Sequence, residues 1–259
     1  KVDYRKVNKD AWNLKTSIHI NSEFYDNNSF INGESTLNSI ELDLLGDIQG
    51  KSVLHLQCHF GQDSISLARM GAKVTGIDLS DKAIDYADKQ AKELKVDTKF
   101  ICSDIYELPN VLNEKFDIVF TSYGVIGWLP DMEKWAGIVS RYLKPDGRFI
   151  MVEFHPVVWM FDDDFKTIAY SYFNTGEIVE QIQGTYTDRD SAIEYTTVCW
   201  NHNLSEIINN LIKEGITINN FEEFDYSPYN CFKHTVEAGK NKYRIKHLDD
   251  KLPMIYSLE

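Results

Sequence analysis

Two carboxylates and a turn are the first residues of this 259-residue sequence that could do chemistry together. The run Val53-Leu54-His55-Leu56-Gln57-Cys58-His59-Phe60-Gly61-Gln62-Asp63 is a short apolar stretch that enters a turn near Gly61. Asp78 ends a second apolar stretch about twenty residues later, a spacing at which a carboxylate accepts both hydroxyls of a ribose. Asp104 closes a third stretch, where its neighbours Ser103 and Ile105 bracket a planar base. Each of these signals is weak alone, because Asp is common in loops. Converging, they describe a nucleoside site. The glycine pattern GxGxxG that lets a backbone approach a pyrophosphate is missing, with only Gly61 in place, which disfavours a nicotinamide dinucleotide and suits a ligand without phosphates. Beyond the fifth apolar stretch, His155 lies beside Glu153 and is the leading candidate general base, and His202, after Trp200, is the second.

These residues need a scaffold that gathers strand ends. Ser52 to Leu56, Lys73 to Asp78, Thr98 to Cys102, Phe116 to Thr121 and Arg148 to Glu153 read as strands, the fourth unbroken in its apolar character like a strand covered on both faces. Between them lie helical segments: Asp63 to Met70, closed by Gly71; a helix capped by Ser80, with Ala83, Ile84, Ala87, Ala91 and Leu94 on one stripe; and one begun by Pro130-Asp131, with Trp135, Val139, Tyr142 and Leu143. This alternation predicts an α/β fold, a doubly wound sheet covered by helices. From His155 to about Trp200 the helical period disappears, and Glu177 to Thr187 and Ala192 to Cys199 read as a hairpin turning at Asp188-Arg189-Asp190-Ser191. A helix resumes at Asn203 and Glu206 with Leu204, Ile207, Ile208, Leu211 and Ile212, ending at Gly215; Ile216 to Phe224 and Met254 to Leu258 read as the last two strands.

The run Val53 to Gly61, with Val74-Thr75-Gly76-Ile77-Asp78-Leu79-Ser80, Ser103-Asp104 and Leu143-Lys144-Pro145-Asp146-Gly147-Arg148, resembles the class I S-adenosylmethionine-dependent methyltransferases. Leu54 to Asp63, Trp128-Leu129-Pro130-Asp131, Val152-Glu153-Phe154-His155-Pro156 and Trp200-Asn201-His202 are similar to a bacterial branch of them, and the likeness runs from about Asp10 to Leu258. The resemblance implies a Rossmann-like, doubly wound, seven-stranded and mainly parallel sheet with the last strand antiparallel, plus a β-rich insertion after the fifth strand. One domain over 1–259 is expected: an N-terminal helical lid segment (1–50), a cofactor-binding core (51–154), a substrate-side insertion (155–200), and the last helix and strands (201–259). It further implies that S-adenosyl-L-methionine is the cofactor, that Gly61 lets its methionine part lie close to the first turn, that Asp78 takes the ribose hydroxyls and Asp104 the adenine amino group. Gln57, His59, Phe60, Asp63, Leu79, Ile105 and Ser122 complete the expected cofactor set. His55, Gln57 and His59 stand where the wider family has an acidic residue and two glycines, so the hold on the amino-acid end of the cofactor is open. The implied activity is methyl transfer to a small acceptor, and the altered first turn suggests the alternative of a non-catalytic module that binds the cofactor as a sensor or scaffold.

Methyl transfer is an in-line displacement on an activated sulfonium, so orientation and desolvation supply much of the catalysis and a base helps only an acceptor that loses a proton. The candidate catalytic set is His155, His202 and Tyr123, the last facing the transferred methyl just past the fourth strand. Thr121-Ser122-Tyr123-Gly124-Val125 stands where the adenine and glutamine N-methyltransferases carry a (D/N/S)PPY turn, which argues against those acceptors. Trp12, His19 and Tyr25 are expected in a lid over the cofactor. The aromatics of the insertion (Trp159, Phe161, Tyr170, Tyr172, Phe173, Tyr186, Tyr195 and Trp200) either line an acceptor pocket or form a small core of their own.

A formal net charge of −13 repels phosphate backbones and argues against DNA or RNA. The basic stretch Lys240 to Lys246 alternates with other residues and is expected to be a solvated face. No apolar run approaches the roughly 18 residues a membrane helix needs, and no signal-peptide pattern opens the sequence. The cysteines, Cys58, Cys102, Cys199 and Cys231, are scattered without metal-ligand spacing, as expected of reduced thiols in a cytoplasmic protein. No metal is expected: the histidines are dispersed, and Asp162-Asp163-Asp164 reads as a solvated turn.

Overall fold

The computed structural model describes residues 2–259. Three helices lead: α1 (Tyr4–His19), α2 (Asn27–Ile31) and α3 (Ser39–Leu45). Strand and helix then alternate through β1 (Ser52–Leu56), α4 (Gln62–Arg69), β2 (Lys73–Asp78), α5 (Asp81–Glu93), β3 (Thr98–Cys102), β4 (Phe116–Ser122), α6 (Met132–Tyr142) and β5 (Leu143–Phe154). The hairpin β6 (Ile178–Gln183) and β7 (Glu194–Cys199) precedes α7 (Leu204–Lys213), β8 (Phe221–Phe224), a second hairpin β9 (Thr235–Gly239) and β10 (Lys242–Ile245), and β11 (Ile255–Leu258).

Seven strands form one sheet in the order β3-β2-β1-β4-β5-β11-β8. The neighbours from β3 to β5 pair in parallel, and β11 runs antiparallel to both β5 and β8. Both faces are covered, which is why these strands read as continuous apolar runs. Leu54, Leu56 and Val119 pack with α6, α7 and the helical turn Ile105–Asn110 on one side; Val53, Ile118 and Phe120 pack with α3 and α4 on the other. Trp135 and Tyr142 of α6 are fully buried, each such side chain contributing roughly 1.5–3 kcal/mol through area removed from water. Local signals place the helix starts: Ser80 Oγ accepts from the Ala83 N–H at 3.1 Å, and Asp131 from the Lys134 N–H at 3.0 Å.

Several boundaries differ from expectation. The fifth strand begins at Leu143, because Leu143 already pairs with Phe116 before the register shifts. The sixth is only Phe221–Phe224: its partner β11 offers four residues, and Asn219 and Asn220 instead donate their N–H groups to the Glu259 carbonyl. The stretch Lys240 to Lys246 is not simply a solvated face, since β10 turns Ile245 fully inward and Tyr243 toward a cavity.

The hairpin β6–β7 forms a sheet of its own and lies against α1. Asn8 locks the two: its amide donates to the Val198 carbonyl at 2.8 Å and accepts from the Val198 N–H at 2.9 Å, as a neighbouring strand would. Asn8→Ala leaves two buried backbone groups unpaired and is expected to destabilise the protein by about 1–3 kcal/mol. Hydrogen exchange should then accelerate at Val198 and neighbouring hairpin amides while the β1 and β4 amides keep their protection. Uniform protection in the variant would show that the hairpin does not depend on α1.

Candidate functional site

The carboxyl ends of β1 to β4 open on one cavity of about 1390 Å³. Its floor is the first turn, where Gln57 (φ 56°), His59 (φ 51°) and Gly61 (φ 85°) adopt left-handed conformations. Gly61 alone has a steric reason to lack a side chain: a Cβ would lie 2.7 Å from Ala87 Cβ and 2.8 Å from the Phe100 ring. Gln57 and His59 carry strain typical of functional turns, of order 1–3 kcal/mol each. The turn is held by the Cys58 N–H on the Ile77 carbonyl at 2.8 Å and by the Gln57 amide on the Val125 carbonyl at 2.9 Å. Asp78 faces it. One carboxylate oxygen accepts from the His59 N–H at 2.8 Å and the other from the Ser80 N–H at 2.9 Å. Burial nevertheless dominates and pushes the Asp78 carboxyl up to about 6.

Helix α1 lies across these strand ends. Asn13 binds Ser80 Oγ at 2.6 Å and Asp81 at 2.8 Å, and Arg5 reaches Asp104 at 3.3 Å. Trp12 meets the His59 ring at 5.1 Å and the Trp128 ring at 5.2 Å between centroids, and His19 Nδ1 lies 2.9 Å from His59 Nε2. Tyr25 packs on Phe60 and joins its hydroxyl to that of Tyr186 at 2.5 Å. Trp12, His19 and Tyr25 thus meet over the first turn. Burial, with the Lys15 ammonium close by, holds His19 down to about 3 and His59 well below the ordinary imidazole range, so both rings are neutral.

The other expected cofactor residues divide. Leu79, Ile105 and Ser122 line the cavity, as do Asp63 and Asp104. Asp63 is turned toward Thr36 Oγ1 at 2.5 Å and Ser122 Oγ at 3.5 Å, and burial raises it to about 6. Asp104 also caps the helical turn after β3, accepting from the Tyr106 N–H at 2.7 Å, so its carboxylate is shared between that cap and Arg5.

The catalytic expectations need correction. His155 is buried outside the cavity: Nε2 lies 2.8 Å from Glu223 and Nδ1 accepts from the Val157 N–H at 3.2 Å, leaving neither nitrogen for a substrate. Its partner is not Glu153. That buried carboxylate points the other way, accepting from the N–H groups of Gly124, Val125 and Ile126 and so fixing the loop after β4. His202 is likewise occupied, by the Leu129 carbonyl at 2.8 Å and Glu206 at 3.1 Å. Tyr123 alone of the three lines the cavity. Its hydroxyl donates at 2.6 Å to Glu41, a fully buried carboxylate that sequence reasoning missed because it sits in the capping box Asn38/Glu41 of α3, where Glu is ordinary. Burial lifts Glu41 to about 7, against the lowering pull of the Tyr123 and Asn38 hydrogen bonds.

The far wall is aromatic. Trp159, Phe161, Tyr170, Tyr186, Tyr195 and Trp200 of the insertion line the cavity, whereas Tyr172 does not and Phe173 is exposed. An ordinary small-molecule site occupies about 300–1,000 Å³, so this one has room for a nucleoside cofactor and a second ligand. Three buried polar atoms around the first turn, Gln57 Oε1, His59 Nδ1 and His19 Nε2, have no protein partner. A polar amino-acid end, a ribose over Asp78 and a base between Leu79 and Ile105 fit this lining.

Glu41, Asp63 and Asp78 titrate above their ordinary values in the fold, so their contribution to stability is full at low pH and is lost as pH rises through about 6 to 7. Glu41→Gln is therefore expected to raise the thermal midpoint relative to the parent at pH 8, with the difference shrinking toward pH 5. A pH-independent difference would place the Glu41 carboxyl in its ordinary range.

A sequence profile for the family described as "Methyltransferase domain" matches residues 48–234. Among curated relatives, a ubiquinone biosynthesis O-methyltransferase of Coxiella burnetii is 33% identical over 101 residues, 39% of this chain and 42% of that protein. The chain thus spans less than half the length of that relative. An S-adenosylmethionine-dependent methyltransferase structure from Mesorhizobium loti superposes with a TM-score of 0.57 at 17% identity, covering 88% of this chain and 98% of that one. Another from Clostridium acetobutylicum gives 0.55 at 17% identity, covering 97% and 98%. At such identities these structures speak for the fold. The matched profile covers most of the chain and includes the first turn, Asp78, Asp104 and the Tyr123 loop, and on that ground the chain belongs to the methyltransferase-domain family, with the fold of the S-adenosylmethionine-dependent methyltransferases.

Proposed function

We propose that this protein methylates a hydroxyl of a small aromatic acceptor, with Asp78, Gly61, Gln57 and His59 holding the cofactor and Tyr123 and Glu41 receiving the acceptor's proton. The observation that carries the reading is the 2.6 Å hydrogen bond from the Tyr123 phenol to the buried Glu41 carboxylate at the end of β4. When bound, the cofactor supplies an electrophilic methyl on sulfur. The acceptor must lose its proton as the oxygen–carbon bond forms and the sulfur–carbon bond breaks. Burial and the Glu41 charge keep the Tyr123 phenol neutral, so it serves as a relay: it accepts the acceptor's proton while passing its own to Glu41. A carboxyl lifted to about 7 is well matched to that task near neutral pH. The aromatic far wall suits a flat, apolar acceptor, and the O-methyltransferase name of the Coxiella relative supports oxygen as the methylated atom. The strained, glycine-poor first turn favours a second reading, a cofactor-binding module without turnover.

Incubation with radiolabelled S-adenosylmethionine and a panel of catechols, phenols, thiols and amines separates these readings. Label on phenolic oxygen supports the proposal; label confined to amines or thiols, or tight binding without any transfer, overturns it. Tyr123→Phe and Glu41→Gln are expected to lower turnover by about 10²–10⁴-fold with S-adenosylhomocysteine affinity unchanged. Unaltered turnover in both would remove the pair from the chemistry. Asp78→Ala is expected to weaken cofactor binding by about 1.5–3 kcal/mol in titration calorimetry, through lost charge-assisted hydrogen bonds. Unchanged affinity in the folded variant would take Asp78 out of the site.

A further inference from the structure

Lys15 of α1 is only 5% exposed, yet no carboxylate neutralises it among the described residues; of the titratable groups nearby only the Cys199 thiol favours its charge. Its ammonium is held by aromatic faces from three elements: Trp12 at 4.3 Å, Trp128 at 4.6 Å and Tyr195 at 5.0 Å from the ring centroids. Each such contact returns about 0.5–2 kcal/mol, while removing an ammonium from water costs several. Burial pulls the amine down to about 8, against a small raising pull from Cys199. A methionine would fill the same space at no electrostatic cost, so the charge itself calls for an anion supplied from outside the chain.

Lys15 lines the cavity, and its charge is felt by His59 in the first turn. Across the same turn, Gln57 Oε1 is a buried acceptor without a donor. A ligand that satisfies both brings a cation and an anion on one short segment, which describes an α-amino acid. Around the first turn the other charged lining residues are acidic, Asp63, Asp78 and Asp104; the remaining cations of the wall, Arg189 and Lys233, are exposed and engaged by the Cys231 carbonyl and by Asp163.

We propose that Lys15 receives the α-carboxylate of the bound cofactor, with Gln57 Oε1 taking its α-ammonium, in place of the acidic residue and glycines that the wider family has at the first strand. This rests on the cofactor assignment above and adds to it the grip on the amino-acid end. It also gives α1 a reason to close: the lid carries the counter-charge.

Calorimetric titration of the full chain with S-adenosylmethionine and with decarboxylated S-adenosylmethionine tests it, because the second ligand keeps the nucleoside, sulfonium and ammonium and lacks only the carboxylate. The wild-type chain is expected to prefer the complete cofactor by about 10–100-fold, the worth of one charge-assisted contact. Lys15→Met should bring that preference to within about 2-fold without weakening binding of the decarboxylated ligand, which loses a repelling cation, and Lys15→Arg should retain most of the preference. A preference that survives Lys15→Met, or an equal loss for both ligands, overturns the role of Lys15 alone. Failure of the wild-type chain to bind either ligand overturns the cofactor reading itself.

Discussion

The Asp78 carboxylate ties the site together. By accepting the His59 N–H on one oxygen and the Ser80 N–H on the other, it joins the turn after β1 to the start of α5. Two strand ends are thereby held at a fixed separation, and a turn with left-handed residues at Gln57, His59 and Gly61 persists at that place. In a sheet of this topology ligands bind where adjacent crossovers depart to opposite faces, at the carboxyl ends of the strands. Here that crevice would be an open groove without its cover. The same carboxylate sets the floor against which the cover closes, since the His59 ring beside it is the surface on which Trp12, His19 and Tyr25 assemble.

The cover is built from two segments far apart in sequence. Helix α1 presents Asn8, Ala11, Lys15, Thr16 and His19 on its buried stripe with the half-buried Trp12 beside them, and the hairpin β6–β7 packs behind it through Asn8 and Val198. One face of α1 therefore serves two neighbours, the strand ends below and the hairpin alongside. Neutral, mutually hydrogen-bonded His19 and His59 make the contact zone polar without adding charge.

The acids are distributed with the same economy. Glu153 spends its lone pairs on the main chain of Gly124, Val125 and Ile126 and so shapes the loop from which Tyr123 and Trp128 project. Glu41, reaching in from α3, is hydrogen-bonded by Tyr123 and by Asn38. One buried carboxylate is saturated by backbone donors and acts as scaffold; the other has a phenol between it and the cavity. Burial raises the proton affinity of both glutamates, and what differs is the donor each meets on the cavity side: backbone N–H groups for Glu153, a phenol for Glu41.

Local sequence carried the sheet. β1 and β2 begin and end where apolar runs and turn residues place them, because a strand covered on both faces must be largely apolar, and the edge strand β3, half-exposed, is bounded by its turns instead. Gly61 and Asp78 were legible for the same reason, being tied to strand ends by short-range geometry. What local pattern could not carry was any pairing across distance. His155 and Glu153 are adjacent in sequence, yet their side chains face different partners, Glu223 on β8 and the loop after β4, because the neighbouring strands determine what each side chain meets. Glu41 and Lys15 carry no signal in the sequence; the first acquires its partner when α3 packs beside Tyr123, and the second when the hairpin and the Trp128 loop close around it. Periodicity reports which face of an element is buried; only the packed structure brings residues 80 to 180 positions apart into one electrostatic environment, and there the chemistry of Glu41 and Lys15 is set.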